Sequence, residues 1–575
     1  MAAENGRGEQ THEYLVLKKF RSLNTQPARE ALAEDEFAWI ENIIPIGNAY
    51  AKVVPQVGAA IATATAAISA MYPATLGTVN YQISFTTAGG AQAVNLGNSS
   101  VVTITAGGTF SGTPAMDQWK SERIVITDSS GMYSWDGTLF HSPGSLATIS
   151  VVTAGTVYTA TPSVVLTGGT TGTTASATAI LSGSGVSSIS LVTVGGGYTA
   201  APAVTFSGGT TATAGLSTAS AYIMPTGMDG EAIAVYGGRV WVADGRLLSY
   251  TAPNTWFNVN TADAAGNSTI TEGSLREKIY ALEALDNYLY VFGDSSIIII
   301  GDLKVTGSST TFSQTFLSST TGTTLPHSIT ALERAILFVN KQGVYALFGA
   351  SVQKVSKALD GIFPDIDFSQ EVSAGLAQIY NILCYAFSFT YDDENATRPI
   401  QALLFDGKWF LTSQGDLTFI APATQNGVQS LWGTTGTDVR QLYANTTATI
   451  SSTLQTGLYD LGNPIFDKQL IRAAVEWTAP TQAEIDVQID TETITERDTF
   501  SSDSAILWLN NNGAPIVWVN TATATISWIS TGFVLADGNF ALIGKYLGAT
   551  ITSNSPGIAI NGTLMEYVKR GPWSR

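Results

Sequence analysis

The chain has 575 residues, of which 45% are hydrophobic, and a formal net charge of −18 at pH 7. A chain of this length has room for several domains with large cores. Only 13% of the residues are charged, about half the usual share, and the basic residues are scattered. This excludes a protein that grips nucleic acid by neutralising phosphates. The single cysteine, Cys384, cannot form an internal disulfide, so nothing indicates an oxidising compartment.

The N-terminal part of the chain shows neither a signal peptide nor a membrane span. Its first residues are acidic and polar and lack the basic and apolar regions of a signal peptide. The segment 57–74 is uncharged, but its small residues alternate with Thr and Ser, which favours buried strands over a membrane helix. Helix is expected only in short segments near 27–42 and 369–380.

Residues 147 to 222 contain two copies of one unit, 40 residues apart. Each copy has an apolar strand, a Tyr-Thr turn, a proline, a second strand and a Gly-Gly-Thr-Thr tip. The matched positions are Ile149 and Ile189, Tyr158 and Tyr198, Pro162 and Pro202, and the Gly-Gly pairs at 168 and 208. This pattern predicts an inserted domain of two β-repeats, and its candidate docking tips are Tyr158, Thr159, Tyr198 and Thr199.

Short apolar hairpins recur about every 49 residues from 232 to 445. Their second turns fall at 245, 294, 343, 393 and near 437, and a similar hairpin at 123–137 precedes the insertion. One hairpin buries too little surface to stand alone, so consecutive hairpins must pack on each other. The six repeats predict an all-β fold, a β-propeller with six blades.

A second β unit is expected after the propeller. In the segment 483–490, Ile485, Val487 and Ile489 alternate with acidic or amide residues, which predicts a half-buried antiparallel strand in a sheet or sandwich. The predicted organisation is an N-terminal arm at 1–58, a first propeller blade region at 59–146, the insertion at 147–223, the remaining blades at 224–446 and a C-terminal β domain at 447–575.

Candidate chemistry is sparse. His12, His141 and His327 are far apart and lack carboxylate or cysteine partners at metal-binding spacing, so surface or turn positions are expected for them. The acidic residues between 364 and 371 lack the central glycine of a calcium loop, and the acidic turn 391–395 is typical of a hairpin tip. The sequence therefore predicts no cofactor, no metal site and no enzymatic activity.

Both ends of the chain resemble one known family. The N-terminal pattern is formed by Phe20, Arg21, Leu23, Asn24, Thr25, Trp39, Asn42 and Pro45. The C-terminal pattern has a Ser-x-x-Pro-Gly turn with Pro556 and Gly557 and an Ile-Asn-Gly turn with Asn561 and Gly562. In their order, these motifs are similar to those of the tail hub or nozzle proteins, also described as tail tubular or phage-stabilisation proteins, of short-tailed double-stranded DNA bacteriophages.

The resemblance implies a structural virion protein in the phage tail, synthesised in the host cytoplasm. Such a protein forms a homohexameric ring at the head-tail connector, joins portal or adaptor proteins to fibre, spike or needle proteins, and lets double-stranded DNA pass during genome ejection without specific binding. Two alternatives stay open at this point. They are a host-receptor-binding adhesin and a polysaccharide depolymerase with a propeller fold.

Overall fold

The computed structural model describes residues 11–47, 50–169, 171–210, 215–271, 273, 275–392, 397–480, 483–501, 518–519, 525–526 and 534–570. Within these residues there is no α-helix, and five 3₁₀ turns occur at Arg29–Ala31, Thr261–Asp263, Pro326–Ser328, Lys357–Leu359 and Phe363–Asp365. No helix in this described part is long and apolar enough to span a bilayer. The two predicted helices are wrong. Residues 36–41 and 373–379 are strands, because their alternating side chains are buried on sheet faces.

Seven four-stranded antiparallel units follow one another in the described chain and form a β-propeller. We number them blades 1 to 7. In each blade the first strand is innermost, and neighbouring blades pack face to face through buried apolar side chains. The predicted fold class, an all-β propeller, is therefore confirmed.

The blade strands are short and joined mostly by tight turns. Blade 1 consists of Ile68–Leu76, Val79–Thr86, Ala91–Asn95 and Val101–Thr105. Blade 2 consists of Ala115–Trp119, Arg123–Asp128, Gly131–Trp135 and Phe140–His141. Blade 3 consists of Ala232–Tyr236, Arg239–Asp244, Leu247–Tyr250 and Gly266–Thr269. Blade 4 consists of Ala281–Leu285, Tyr288–Phe292, Ile297–Thr306 and Ser309–Ser318. Blade 5 consists of Thr330–Leu332, Ala335–Asn340, Gly343–Phe348 and Ser351–Lys354. Blade 6 consists of Ser373–Ile379, Ile382–Asp392, Thr397–Phe405 and Lys408–Thr412.

Blade 7 closes the ring with strands from two distant parts of the chain. Phe419–Gln425, Val428–Thr434 and Asp438–Gln441 supply its inner three strands, and Ala60–Thr63 pairs with the third as its outermost strand. The hydrogen bond from the Gly58 amide to the Gln441 carbonyl oxygen, 2.8 Å long, continues this contact. The uncharged segment 57–74 thus contains the closing strand and the start of blade 1.

The number of blades differs from the prediction of six. The hairpin at 123–137 is blade 2, and the region 59–146, predicted as a first blade region, also contains blade 1 over 68–105. Gly89, in the second turn of blade 1, stands 42 residues before Gly131. That spacing fits the repeat, and blade 1 buries Met71, Ile83 and Phe85 in a hydrophobic core as the other blades bury theirs.

The inserted domain lies between blades 2 and 3. Its strands are Leu146–Thr153, Ser163–Thr167, Ser176–Ser182, Gly185–Thr193, Ala203–Ser207 and Thr218–Ile223. The second strand of one repeat pairs antiparallel with the second strand of the other, and the first strand of the domain pairs with the last. The backbone bonds between Gly144 and Met224 and between Met224 and Ser145 hold the two ends of the domain together.

The C-terminal unit is a β-sandwich that also contains N-terminal strands. One sheet contains His12–Leu17, Ile43–Ile46, Tyr50–Val53, Lys468–Thr478, Val534–Asn539, Ile543–Gly544 and Ala559–Lys569. The other contains Ser22–Leu23, Glu36–Glu41, Ser452–Thr456, Glu484–Asp490, Thr495–Ser501 and Gly548–Ser553. The described strand Trp518–Val519 pairs with Thr525–Ile526. As predicted, Ile485, Val487 and Ile489 are fully buried on one face.

The first 58 residues are not a separate arm. Glu36–Glu41 pairs with Ser452–Thr456 on one side, and its last residue pairs in parallel with Leu411 of blade 6 on the other. As a result, a single ten-stranded sheet runs from the inner strand of blade 6 to the edge of the sandwich. One hydrophobic core extends from blade 5 through this sheet into the sandwich.

Asn42 fixes the point where propeller and sandwich meet. Its backbone φ is +60°, a left-handed conformation that asparagine tolerates better than most residues. Its side chain donates to the Ser451 carbonyl oxygen at 2.7 Å and accepts from the Ser413 amide at 2.7 Å. Its own amide donates to the carbonyl oxygen of Leu411 at 2.9 Å. This one residue therefore binds two distant chain segments, 411–413 and 451, to the N-terminal part of the chain.

Replacing Asn42 with alanine is expected to lower the free energy of unfolding by about 3 kcal/mol. Two side-chain hydrogen bonds, each worth about 1 kcal/mol, are lost, and alanine in the left-handed region costs about 1 kcal/mol more. The matched control is Asn426→Ala, because Asn426 has φ +52° but is exposed in a hairpin turn. Thermal denaturation of both variants measures the difference, and equal losses of stability would contradict the role given to Asn42.

Candidate functional site

The N-terminal family-pattern residues lie in the joint between propeller and sandwich. Phe20 stacks on Phe37 with ring centroids 5.8 Å apart, and Leu23 is fully buried. Trp39 is partly buried and donates from its indole nitrogen to Glu41 at 2.9 Å. Pro45 is buried in a strand of the sandwich. These side chains fill the core that unites the two bodies.

The polar residues of the same pattern tie the N-terminal segment to its neighbours. Asn24 donates to the Glu36 carboxylate at 2.9 Å, while Arg21 lies 3.9 Å from the same carboxylate. The Thr25 amide donates to the carbonyl oxygen of Ala358 at 2.7 Å. The nearby Arg398 guanidinium forms an ion pair with Glu41. The contacts of these polar residues are therefore structural.

The C-terminal family-pattern residues lie in the same sandwich. Gly557 has φ +69°, and a Cβ atom there would lie 3.0 Å from the Pro480 ring, while Pro556 beside it is partly exposed. Asn561 and Gly562 belong to the strand Ala559–Lys569. A Cβ atom on Gly562 would approach the Lys18 side chain to 2.9 Å, so glycine permits the close packing of the N-terminal strand.

The Tyr-Thr turns of the insertion divide into buried and exposed residues. Tyr158 and Tyr198 are buried, and their hydroxyls accept hydrogen bonds from the Ser217 and Ala175 amides at 3.0 and 2.8 Å. Each Gly-Gly pair packs against the turn of the other repeat, because the Thr159 and Thr199 amides donate to the carbonyl oxygens of residues 209 and 169. A docking partner would therefore meet Thr159 and Thr199, which are exposed, and not the tyrosine rings.

Each histidine has a carboxylate nearby that the sequence spacing concealed. His12 lies 2.6 Å from Glu566, and His327 lies 2.6 Å from Glu371. His141 is buried and not at the surface, where it packs against Trp256 and lies 3.0 Å from the Leu146 carbonyl oxygen. Among the described residues no group of three or more metal-binding side chains occurs.

The innermost strands of the seven blades enclose a central cavity of about 480 Å³. The phenol oxygen of Tyr72 in blade 1 lies 3.1 Å from Nε2 of His327 at the start of blade 5, and donates to the Pro114 carbonyl oxygen at 3.1 Å. Phe419 of blade 7 packs edge-on against the same imidazole, 5.0 Å away. These contacts join residues of blades 1, 5 and 7 at the wall of the cavity.

Three acidic residues line this cavity, Asp117, Glu231 and Glu283. Enclosure raises the pKa of Asp117 to about 6, although its carboxylate accepts from the Val235 and Gln118 amides at 2.6 Å. Burial in the cavity raises the pKa of Glu283 to about 8, and the negative charge of Asp117 contributes to this increase. The pKa values of Asp117 and Glu283 are thus both shifted toward neutral pH.

Sequence reasoning missed this pair because its members are 166 residues apart and belong to ordinary alternating strands. The position of the two residues within their strands is the sequence feature that could have identified the pair. Asp117 and Glu283 each lie at the third residue of the innermost strand of a blade. The acidic residues of the segments 364–371 and 391–395 do not line this cavity as far as the structure describes them. Asp367 accepts from Ser369 in a local turn, and Asp393 and Glu394 lie outside the described residues.

No protein family and no curated protein sequence matches the chain. Similar solved structures include the β-propeller domain of Cps50 (Swd1) from Myceliophteria thermophila, with 8% identity, 64% of this chain and 94% of that chain covered, and a TM-score of 0.23. The WD40 domain of SCAP from fission yeast has 7% identity, coverage of 89% and 94%, and a TM-score of 0.26. A family 43 arabinoxylan arabinofuranohydrolase from Bacillus subtilis has 7% identity, coverage of 88% and 96%, and a TM-score of 0.20. These TM-scores are too low to assign the fold by similarity, so the assignment to the β-propellers rests on the strand pairing.

The cavity carboxylates predict that the protein becomes more stable on acidification from pH 8.5 to pH 5. Their pKa values are raised above about 4, the value in an unfolded chain, so the folded state binds these protons more tightly and stability falls as pH rises through 6 and 8. Glu283→Gln should raise the melting temperature at pH 8.5 and weaken its dependence on pH. The control is Glu333→Gln at an exposed turn. An unchanged pH profile in Glu283→Gln would contradict the prediction.

Proposed function

We propose that this protein is a structural subunit of the tail hub, or nozzle, of a short-tailed bacteriophage. The supporting observation is that the two terminal motifs, more than 500 residues apart in sequence, belong to the same β-sandwich and its junction with the propeller. Because both motifs form parts of the same junction, the packing of one depends on the other, and this is a physical reason for the two to occur together. The resemblance to that family thus concerns the part of the protein that holds its two bodies in place.

Rigidity is the property that this role requires. The ten-stranded sheet makes the propeller and the sandwich one continuous hydrogen-bonded body, and bending between them would break backbone bonds at Glu41 and Asn42. A subunit of this kind can serve as a stiff wedge in a ring under the pressure of a packaged genome. Its contribution is mechanical, and catalysis plays no part in it.

The net charge of −18 suits a wall past which DNA moves, because like charges prevent phosphates from sticking. Identical subunits related by head-to-tail contacts close into a ring, and the family resemblance implies six copies. Portal or adaptor proteins bind on one side of that ring, and fibre, spike or needle proteins on the other. The inserted domain, which lies between blades 2 and 3, is the proposed dock for a distal tail part.

Localisation in particles tests the proposal. Virions purified from an infected host, labelled with a gold-conjugated antibody to this protein, are expected to carry the label at the tail vertex. Image averaging should then show a ring of subunits below the portal. Absence of the protein from assembled particles, or label elsewhere on the capsid, would refute the assignment.

Deleting residues 147–222 should leave ring assembly intact and abolish fibre attachment or adsorption. Ring assembly should survive because the two ends of the domain are already hydrogen-bonded to each other at Ser145 and Met224, so the blades need not move. Particle counts, fibre content and adsorption rates measure the result. Unchanged values for all three would refute the docking role.

A second candidate function, saccharide cleavage, has one observation in its favour. Glu283, with its raised pKa, could act as general acid, and Asp117 as the second carboxylate that glycoside hydrolysis requires. In that case Glu283→Gln and Asp117→Asn would each abolish release of reducing sugar from host polysaccharide. Absence of release by the unmodified protein would exclude this function.

A further inference from the structure

A groove of about 530 Å³ lies where the inserted domain meets blade 3. One wall is formed by the end of the domain's last strand and the connection that follows it, residues 221–228. The opposite wall is formed by residues 249–250, 257–261 and 266–267 of blade 3. Its volume is in the range of small-molecule sites. We call it the junction groove.

Aromatic rings at fixed orientation form the centre of the junction groove. Tyr222 is 36% exposed, and its ring lies 5.3 Å from that of Phe257 at an angle of 51°. Phe257 is held edge-on by Trp256, 5.2 Å away. Trp256 is buried and covered by the Arg123 guanidinium at 3.8 Å. The exposed tyrosine face is therefore a preorganised apolar platform.

Amide side chains line the groove beside this platform. Asn258 and Asn260 both donate to the Asp263 carboxylate, at 3.0 and 3.2 Å. Their amide oxygens accept from the Asn260 and Ala262 backbone amides at 2.9 and 3.1 Å. Asn267 is exposed on the neighbouring strand. An amide has two donor hydrogens and two acceptor lone pairs, so Asn258 and Asn260 keep hydrogen-bonding capacity while their orientation is fixed.

The junction groove carries no ionisable acid or base. None of the described residues that line it is Asp, Glu, Lys, Arg or His, and the whole segment 147–223 contains none of these residues. This is unusual in a chain with net charge −18. A phosphate or carboxylate ligand would find no positive charge among these residues, and the Asp263 carboxylate beside the groove is already engaged by Asn258 and Asn260. A ligand with hydroxyl groups and apolar C–H faces matches the rings and amides.

We propose that the junction groove binds a neutral saccharide. One sugar ring lies against the exposed face of Tyr222, and its hydroxyls exchange hydrogen bonds with Asn258, Asn260 and Asn267. Because the groove is shared between the insertion and blade 3, it requires both parts of the chain. This inference is separate from the virion assignment, since a neutral saccharide site could belong to a tail protein or to a free adhesin.

Affinity electrophoresis of the full-length protein tests the proposal, with dextran, mannan and galactomannan as neutral probes and hyaluronate and heparin as anionic ones. We expect at least one neutral polysaccharide to retard the protein, with no effect of added salt because no charges pair. Tyr222→Ala should weaken that retardation roughly tenfold, as loss of an aromatic stacking contact of about 1.4 kcal/mol requires. Asn267→Ala should weaken it less.

The matched control is Tyr288→Ala, which removes a 46% exposed tyrosine from blade 4, outside the groove. It should bind as the unmodified protein does, and melting curves confirm that all variants are folded. Retardation by no neutral probe, retardation by anionic probes alone, or equal binding by Tyr222→Ala and the unmodified protein would each overturn the proposal. None of these outcomes affects the particle-labelling result, so the two proposals can fail separately.

Discussion

The structure depends on one set of backbone hydrogen bonds, those that join Glu36–Glu41 to blade 6 and to Ser452–Thr456. Every propeller blade must bury both faces of its sheet, and the outer edge of a blade is normally open to solvent. In blade 6 that edge is occupied by a strand from the start of the chain, which in turn receives the C-terminal strands. An open sheet edge, a hazard for aggregation, is thereby converted into an interdomain connection.

Charged groups at this joint are few and paired. Glu41 is 7% exposed and receives hydrogen bonds from Trp39 and Arg398. Arg29 contacts Asp490 at 2.6 Å and donates to the Thr456 carbonyl oxygen at 2.8 Å. A buried ion pair adds little net stability, but loss of one partner is costly. These pairs therefore act mainly to fix which strands meet, while the apolar core supplies most of the free energy.

The sequence was sufficient for the fold class and for the insertion, because both are repeats whose period survives without knowledge of contacts. Blade 1 is harder to see because the large apolar residues of its second strand alternate with Asn80, Gln82 and Ser84 and form no continuous apolar run. The sequence predicts an arm for the N-terminal segment because the strands that pair with it lie about 400 to 550 residues later in the chain. No local pattern predicts a pairing of that separation.

In the candidate sites too, local sequence patterns predict some features, while others depend on residues that meet only in the folded chain. The terminal motifs were visible as a family resemblance, but their structural role required the positions of Phe37, Asn42 and Gly562 in three dimensions. The carboxylates Asp117 and Glu283 converge only when innermost strands are arranged around an axis. The junction groove has no motif at all, because its walls come from two domains. What the sequence did show there was the absence of charge over 147–223.

The intertwining of the two chain ends has a consequence for biosynthesis. While the ribosome is still translating the middle of the message, the strand at 60–63 has no blade 7 to complete, and the strand at 12–17 has no partner until residues 563–568 emerge. These two strands therefore remain without their long-range partners through most of translation. A nascent chain cut short by a premature stop codon would lack its last strands and leave the first ones without these partners, and would present bare strand edges to the quality-control machinery of the cell.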